Sequence, residues 1–300
     1  MEFGKVHPTE LEKIDFKLSP DKEGTLKILK ANKSKNQPKV FVGCAKWGRP
    51  DWIGKIYPKG TKQADFLDHY AKQFSTIELN ALFYRIFDKP VVEKWAGKVG
   101  KGFKFCPKFN GDISHKLRLK NAERITEIYL DSIYTFGDKL GPGFLQLSDN
   151  FPPKNLDAID SYLKSLPKDL EVFVEVRHKE WFEKTYFEKL CEVLEKNNSG
   201  FVITDASGRR DCVHMRLTTP KAFIRFVGNG LHPTDYTRID DWVKRIGEWV
   251  KRGIKEVYFF MHQHEELHSP ELCKYTIQQL NKHCGTKIPE PVFVNDNGLF

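Results

Sequence analysis

The sequence predicts a single (β/α)8 TIM barrel, and three observations carry the prediction. Eight short apolar runs, each the length of a buried strand, recur between Val40 and Met261. Segments with apolar residues at helical spacing lie between most of them, the alternation that builds right-handed βαβ units around a parallel sheet. The chain has 300 residues; a rule based on length would divide it in two, yet an α/β barrel reaches this size as one domain.

Residues 1–39 are lysine-rich, most densely between Lys27 and Lys39, weakly periodic and closed by Pro38. They read as a basic N-terminal extension ahead of one barrel domain, residues 40–300, that ends in a short tail. The first strand is Val40-Phe41-Val42-Gly43-Cys44. Thr76–Asn80, Phe103–Pro107 and Gly143–Leu147 follow, then Val172–Val176, Phe201–Thr204, Ala222–Phe226 and Val257–Met261. Several are apolar on both faces, as strands covered by helices must be. Helical periodicity marks Phe66–Phe74, a helix starting at Pro90, Asn121–Leu140, Leu156–Leu166, Trp181–Leu194, Ile239–Val250 and Glu271–Cys284. In Asn121–Leu140, for example, Ile125, Ile128, Tyr129, Ile133 and Phe136 keep the spacing of one helix face. Asp205–Lys221, by contrast, carries Gly208, Pro220 and several polar residues with no amphipathic pattern. The sixth βα unit is therefore expected to be irregular, a loop with at most a short helix.

Hydrophobic residues make up 40% and charged residues 30%, and 23 Phe, 10 Tyr and 6 Trp are available for a core, which argues against both a multi-span membrane protein and a disordered chain. No apolar run approaches the roughly 18 residues of a spanning helix, and no membrane partner is expected. The 49 Lys and Arg outnumber the 40 Asp and Glu, a net charge of +9 that favours anionic partners, although lysines spread over a surface need imply none. The six cysteines form no CxxC or other ligand-like pair, and the first residues lack a basic stretch followed by an apolar one. Reduced thiols in the cytoplasm are the expectation.

In such a barrel the chemistry lies at the C-terminal ends of the strands. The polar residues there are Trp47 after strand 1, with Glu78, Asn80 and Tyr84 from strand 2. Lys108 and His115 follow strand 3, Gln146 closes strand 4, and Glu175, Arg177 and His178 come from strand 5. Asp205 ends strand 6, Arg225 lies in strand 7, and His262-Gln263-His264 end strand 8. Glu78 and Glu175 stand out, because each is flanked by apolar residues within its strand and an unpaired buried polar group costs about 1–3 kcal/mol. Pointing into the mouth together, they could do acid/base work or hold a divalent ion; alternatively Arg177 or Arg225 neutralises them in a structural ion pair. His178 suits a general base near neutral pH or a loop position at the start of the next helix. Lys108 suits a phosphate ligand, an electrophile or, if desolvated, a Schiff-base amine. Trp47, Trp52, Tyr84 and Trp181 suit stacking on a sugar or base, or plain packing.

Several segments resemble the YecE-like family, also called domain of unknown function 72, whose members form a TIM barrel. They are Phe41-Val42-Gly43 with Trp47, Trp52 and Tyr57-Pro58; Phe74 through Asn80 and on to Phe83-Tyr84-Arg85; Phe103-Lys104-Phe105 with Lys108; and Ile113-Ser114-His115. Leu140-Gly141-Pro142 with Leu145-Gln146-Leu147, and Val174 through His178 with Trp181, complete the set, which spans about Val40 to Cys284. The resemblance implies the fold and no reaction. Two positions depart from the family pattern. Arg225-Phe226-Val227-Gly228 lacks the family's histidine after strand 7, and His262-Gln263 stands where an asparagine pair usually closes strand 8.

His262, His264 and His268, with Glu265 and Glu266 nearby, suit imidazole-binding metals in residue type but complete no ligand spacing. There is no dinucleotide fingerprint, P-loop or nucleophile elbow, hence no nucleotide-cofactor motif; Gly228-Asn229-Gly230 offers at most two glycines to a phosphate. The leading functional expectation is an enzyme, a hydrolase, lyase or isomerase, acting on a small anionic or sugar-like substrate. In it Glu78 and Glu175 are catalytic, Asp205 and His178 assist, and Trp47, Asn80, Tyr84, Lys108, His115, Gln146, Arg177 and Arg225 bind substrate. The alternatives are a nucleic-acid-processing or nucleic-acid-binding protein, favoured by net charge and aromatics, and a non-catalytic metabolite-binding module.

Overall fold

The computed structural model describes residues 3–32 and 37–294. Eight parallel strands form the inner wall: β1 (Lys39–Cys44), β2 (Thr76–Leu79), β3 (Lys104–Pro107), β4 (Gly143–Gln146), β5 (Val172–Glu175), β6 (Gly200–Asp205), β7 (Lys221–Gly228) and β8 (Glu256–Gln263). They pair in the order β3-β2-β1-β8-β7-β6-β5-β4. The two ends of that order meet at a thin seam, where Phe109 N donates to Phe144 O at 3.0 Å and Gly141 N to Phe105 O at 2.7 Å. The result is a (β/α)8 barrel, as the alternation of apolar strands and periodic helices predicts. β8 runs two residues past the apolar stretch, because His262 and Gln263 stay in register with Val227 and Gly228 of β7.

The helices are α1 (Glu23–Ala31), α2 (Phe66–Gln73), α3 (Ala81–Tyr84), α4 (Lys89–Gly97), α5 (Glu123–Tyr134), α6 (Leu156–Ser165), α7 (Lys184–Lys196), α8 (Pro233–Arg252) and α9 (Ser269–Cys284). Outward-facing strand residues join the helices in one large core that includes Trp52, Trp181, Trp242 and Trp249. Inward-facing residues make a separate plug of Phe41, Cys106, Phe144, Phe173, Val202, Phe223, Tyr258 and Phe260. Two cores divided by one sheet follow from the period of two along each strand. Among the described residues no helix is long and apolar enough to cross a membrane.

The connection from β6 to β7 holds only a short 3-10 turn, Arg210–Cys212. The place of its missing helix is taken by α1, from the segment ahead of β1. Thr25 Oγ1 donates to Met215 O at 3.0 Å and accepts from Leu217 N at 2.9 Å, and Leu29 is fully buried. On one flank Arg216 of the same connection pairs with Glu195 of α7. On the other, Asp21 accepts from Arg245 at 2.7 Å and from Trp249 Nε1 at 3.1 Å, both in α8. The basic extension thus supplies a helix of the outer ring, between the helices that follow β5 and β7.

Candidate functional site

At the C-terminal end of the barrel the apolar plug gives way to a polar layer. Side-chain alternation aims Glu78, Lys108, Gln146, Glu175, Arg225 and His262 inward from six different strands or strand ends, and all are buried. The Arg225 guanidinium carbon lies 5.3 Å from the centroid of the Phe144 ring.

Arg225 joins the two carboxylates. Its Nε and Nη2 donate to Glu78 Oε2 and Oε1 at 2.8 and 2.9 Å, and its Nη1 donates to Glu175 Oε2 at 2.7 Å. Asn80 Nδ2 donates to Glu78 Oε1 at 2.9 Å, and His262 Nε2 sits 2.9 Å from Glu78 Oε2. Arg177 Nε reaches Glu175 Oε1 at 2.8 Å. Glu78 and Glu175 therefore do converge, on opposite sides of one guanidinium. Burial alone would raise both carboxyls. For Glu78 the charge of Arg225, then that of His262, outweighs burial and holds it well below the usual carboxylate range. For Glu175, Arg225 and then Arg177 bring it down to about 2. Both are ionised at neutral pH, so neither has a proton to give and both are weak bases, which suits fixed charges better than proton transfer. The guanidinium also occupies the space that a divalent ion shared by the two carboxylates would need.

Lys108 differs. Its Nζ donates to Gln146 Oε1 at 2.9 Å and sits 4.2 Å from the centroid of the Phe83 ring, and among the described residues it pairs with no carboxylate. Burial, then the Arg225 charge, lowers the amine from 10.5 to about 7, against the opposing pull of Glu175. Its charge therefore changes near neutrality. His115 meets the same Phe83 ring edge-on, with centroids 4.9 Å apart, and bonds Ser114 Oγ at 2.9 Å. Its imidazole is lowered by burial, then by the charges of Lys108 and Arg177. Beside Arg225, Thr204 Oγ1 is buried without a bonded partner among the described residues. The Phe3 ring stacks on the Arg177 guanidinium at 4.0 Å, and Gly4 O accepts from Gly208 N at 2.8 Å, so the N-terminal segment reaches the rim.

Four of the expected residues stand apart from this layer. Asp205 lies on the outer face of β6, because its neighbour Thr204 takes the inward position. It pairs there with Arg210 and Arg238 and accepts from Trp242 Nε1 at 2.7 Å, and Arg238, then Arg210, hold it down to about 2 against burial. This is an anchor for α8, not an assistant to Glu175. His178 opens the 3-10 turn Lys179–Phe182 and lies 3.9 Å from Glu180 Oε2, with no bond to Glu175. Trp47 packs edge-on against Trp95 of α4 at 5.4 Å. Tyr84 is 83% exposed on α3. His262 proves to be a partner of Glu78, while His268 faces Glu271 at 3.5 Å. No group of three or more His, Cys, Asp or Glu among the described residues could hold a metal. The sequence reading names Phe83 only within the family resemblance, and places His262 at the end of strand 8 without a partner or a role. The signal for His262 was present in the parity of Tyr258, Phe260 and His262 along β8.

The family model described as "Protein of unknown function DUF72" matches residues 41–292. The chain belongs to the DUF72 family. Curated relatives include the UPF0759 protein YecE of Escherichia coli K12, 26% identical over 280 residues, which cover 87% of this chain and all of YecE. The UPF0759 protein YunF of Bacillus subtilis is 24% identical over 260 residues, 82% of this chain and 85% of YunF. Among solved structures, a DUF72 protein from Enterococcus faecalis superposes with a TM-score of 0.63 at 18% identity, covering 85% of this chain and 100% of that one. Another from Thermotoga maritima gives a TM-score of 0.61 at 23% identity, covering 83% of this chain and 100% of that one. These likenesses establish the fold and carry no reaction with them.

Proposed function

We propose that this DUF72 protein is an enzyme acting on a small anionic or sugar-like molecule at the C-terminal mouth of its barrel. One observation carries the reading. Lys108 is a buried amine bonded to an amide oxygen instead of a carboxylate, in a layer that already contains two ionised carboxylates. A structural role would be served by pairing that amine, and a perturbed, unpaired titratable group at a barrel mouth marks a functional position. In this reading the Glu78–Arg225–Glu175 frame is a fixed electrostatic scaffold and Lys108 is the proton-labile group. Arg177, 13% exposed at its side chain, faces the incoming anion.

A thermal-shift panel of sugar phosphates, nucleotides and small carboxylic acids at pH 7 tests it. A compound present at a hundred times its Kd should add about 2.7 kcal/mol of stability. Arg177→Ala should weaken that compound's binding at least about tenfold, the loss of a charge-assisted contact. A panel that leaves Tm unchanged, or a hit that binds Arg177→Ala equally well, contradicts the proposal.

A further inference from the structure

Resting on that reading of the mouth, we infer that Lys108 is a carbonyl-capturing nucleophile, and that the substrate class is a small aldehyde or ketone carrying an anionic group. The geometry is that of a lysine placed for imine chemistry. Nζ stands at the end of β3 toward the barrel axis, with one bond among the described residues, to Gln146 Oε1 at 2.9 Å, and with the Phe83 ring against it at 4.2 Å. A lysine beside cations and an aromatic face, and without a carboxylate partner, keeps its lone pair available near neutral pH. The charges that act on it are Arg225 and Arg177, which disfavour the ammonium, and Glu175 and Glu78, which favour it; burial decides the balance, and the amine comes down to about 7. Arg177, bonded to Glu175 through Nε and 13% exposed at its side chain, would also attract the anionic end of the substrate. His115 and Lys108 contact the same Phe83 ring, and in this reading His115 moves the protons.

The step balances without an oxidant or a cofactor. The Lys108 lone pair adds to the carbonyl carbon while the C=O π pair moves to oxygen. The nitrogen then loses a proton and the alkoxide gains one, which gives a carbinolamine. The carbinolamine hydroxyl takes a further proton and leaves as water, the remaining nitrogen lone pair forms C=N, and the last N–H proton is returned. Amine plus carbonyl becomes imine plus water.

Two reductive-trapping arms test this on the full chain. In the first, isotopically labelled formaldehyde with cyanoborohydride at pH 7 methylates amines in proportion to their unprotonated fraction, and peptide mass spectrometry ranks the sites. Lys108 should react at least about tenfold faster than the median surface lysine, with the advantage shrinking toward pH 10 as the other amines deprotonate. In the second, pyruvate or glyceraldehyde 3-phosphate is trapped with borohydride. One adduct per chain is expected, at Lys108, and none at that position in Lys108→Met. Slower methylation of Lys108 than of surface lysines would overturn the nucleophile assignment. If the compounds that stabilise the wild type in the thermal panel still stabilise Lys108→Met, the mouth reading survives that result. If no compound of the panel stabilises either protein, the mouth reading falls as well. Fast methylation with no adduct from pyruvate or glyceraldehyde 3-phosphate would overturn the anionic-carbonyl class.

Discussion

Arg225→Met should destabilise the protein by at least about 3–5 kcal/mol at pH 7, the range for breaking a buried ion pair from one side. The substitution removes three charge-assisted hydrogen bonds at once and leaves two carboxylates in a layer almost closed to solvent. Glu78 would retain Asn80 and His262, and Glu175 would retain Arg177, which is too little to offset burial of two negative charges in the middle of the barrel. The pH dependence gives the effect a sign of its own. In the native protein both carboxyls titrate below their unfolded values, so their contribution is present above about pH 4.5 and is lost as pH falls toward 2. Without Arg225, burial dominates and pushes at least one carboxyl above its unfolded value. That variant should then regain stability as pH falls from 7 toward 5, by protonating the stranded group. Urea titrations of both proteins at pH 7 and pH 5 measure the difference. The triple variant Arg225→Met with Glu78→Gln and Glu175→Gln should recover part of the loss, since neutral amides remove the stranded charge. A loss under about 1 kcal/mol, with no dependence on pH, would mean that Arg225 does not hold these carboxylates.

The second large effect concerns the outer ring. Deleting residues 1–31 should cost at least about 3 kcal/mol or leave the chain insoluble. Leu29 alone is a fully buried leucine, and a Leu→Ala change at such a site costs about 2–5 kcal/mol. The deletion also strips Met215 O and Leu217 N of the Thr25 hydroxyl, and Trp249 Nε1 and Arg245 of Asp21. It uncovers the outer side of the barrel where the β6–β7 connection has no helix of its own, an apolar surface of the kind that drives association. Thermal unfolding and size-exclusion chromatography of the truncated chain provide the check. A truncated protein that elutes in the same oligomeric state as the full chain and melts within a few degrees of it would show that α1 is an ornament on a self-sufficient barrel.

The two predictions rest on parts of the molecule that were unequally legible in the sequence. The strands were readable because parallel strands buried on both faces are continuous apolar runs, and Glu78 and Glu175 were conspicuous because each interrupts one. That they meet was an inference from shared position at strand ends. What joins them was not readable, since Arg225 is 147 residues from Glu78 and only barrel closure brings the two together. Asp205 shows how parity misleads at a strand end. Thr204 and Asp205 are adjacent, one must face away from the axis, and the apolar run of β6 does not say which. The role of α1 was hidden for a different reason. Glu23–Ala31 is a short helix of nine residues inside a lysine-rich segment, and the vacancy it fills lies nearly two hundred residues further along. The gap after Asp205 was visible, but the extension read as weakly periodic, with no helix to assign to that gap. The ionisation of Lys108 depends on burial and on charges from other strands, which no single segment reports.

That ionisation is the point on which the functional account turns. Protein labelled at the lysine side chains, with Lys108 assigned by comparison with Lys108→Met, allows its ammonium to be titrated by NMR between pH 5 and 11. The account predicts a midpoint near 7 for Lys108, well separated from the surface lysines. A midpoint near 10.5, with Lys108 titrating among the rest, would contradict it.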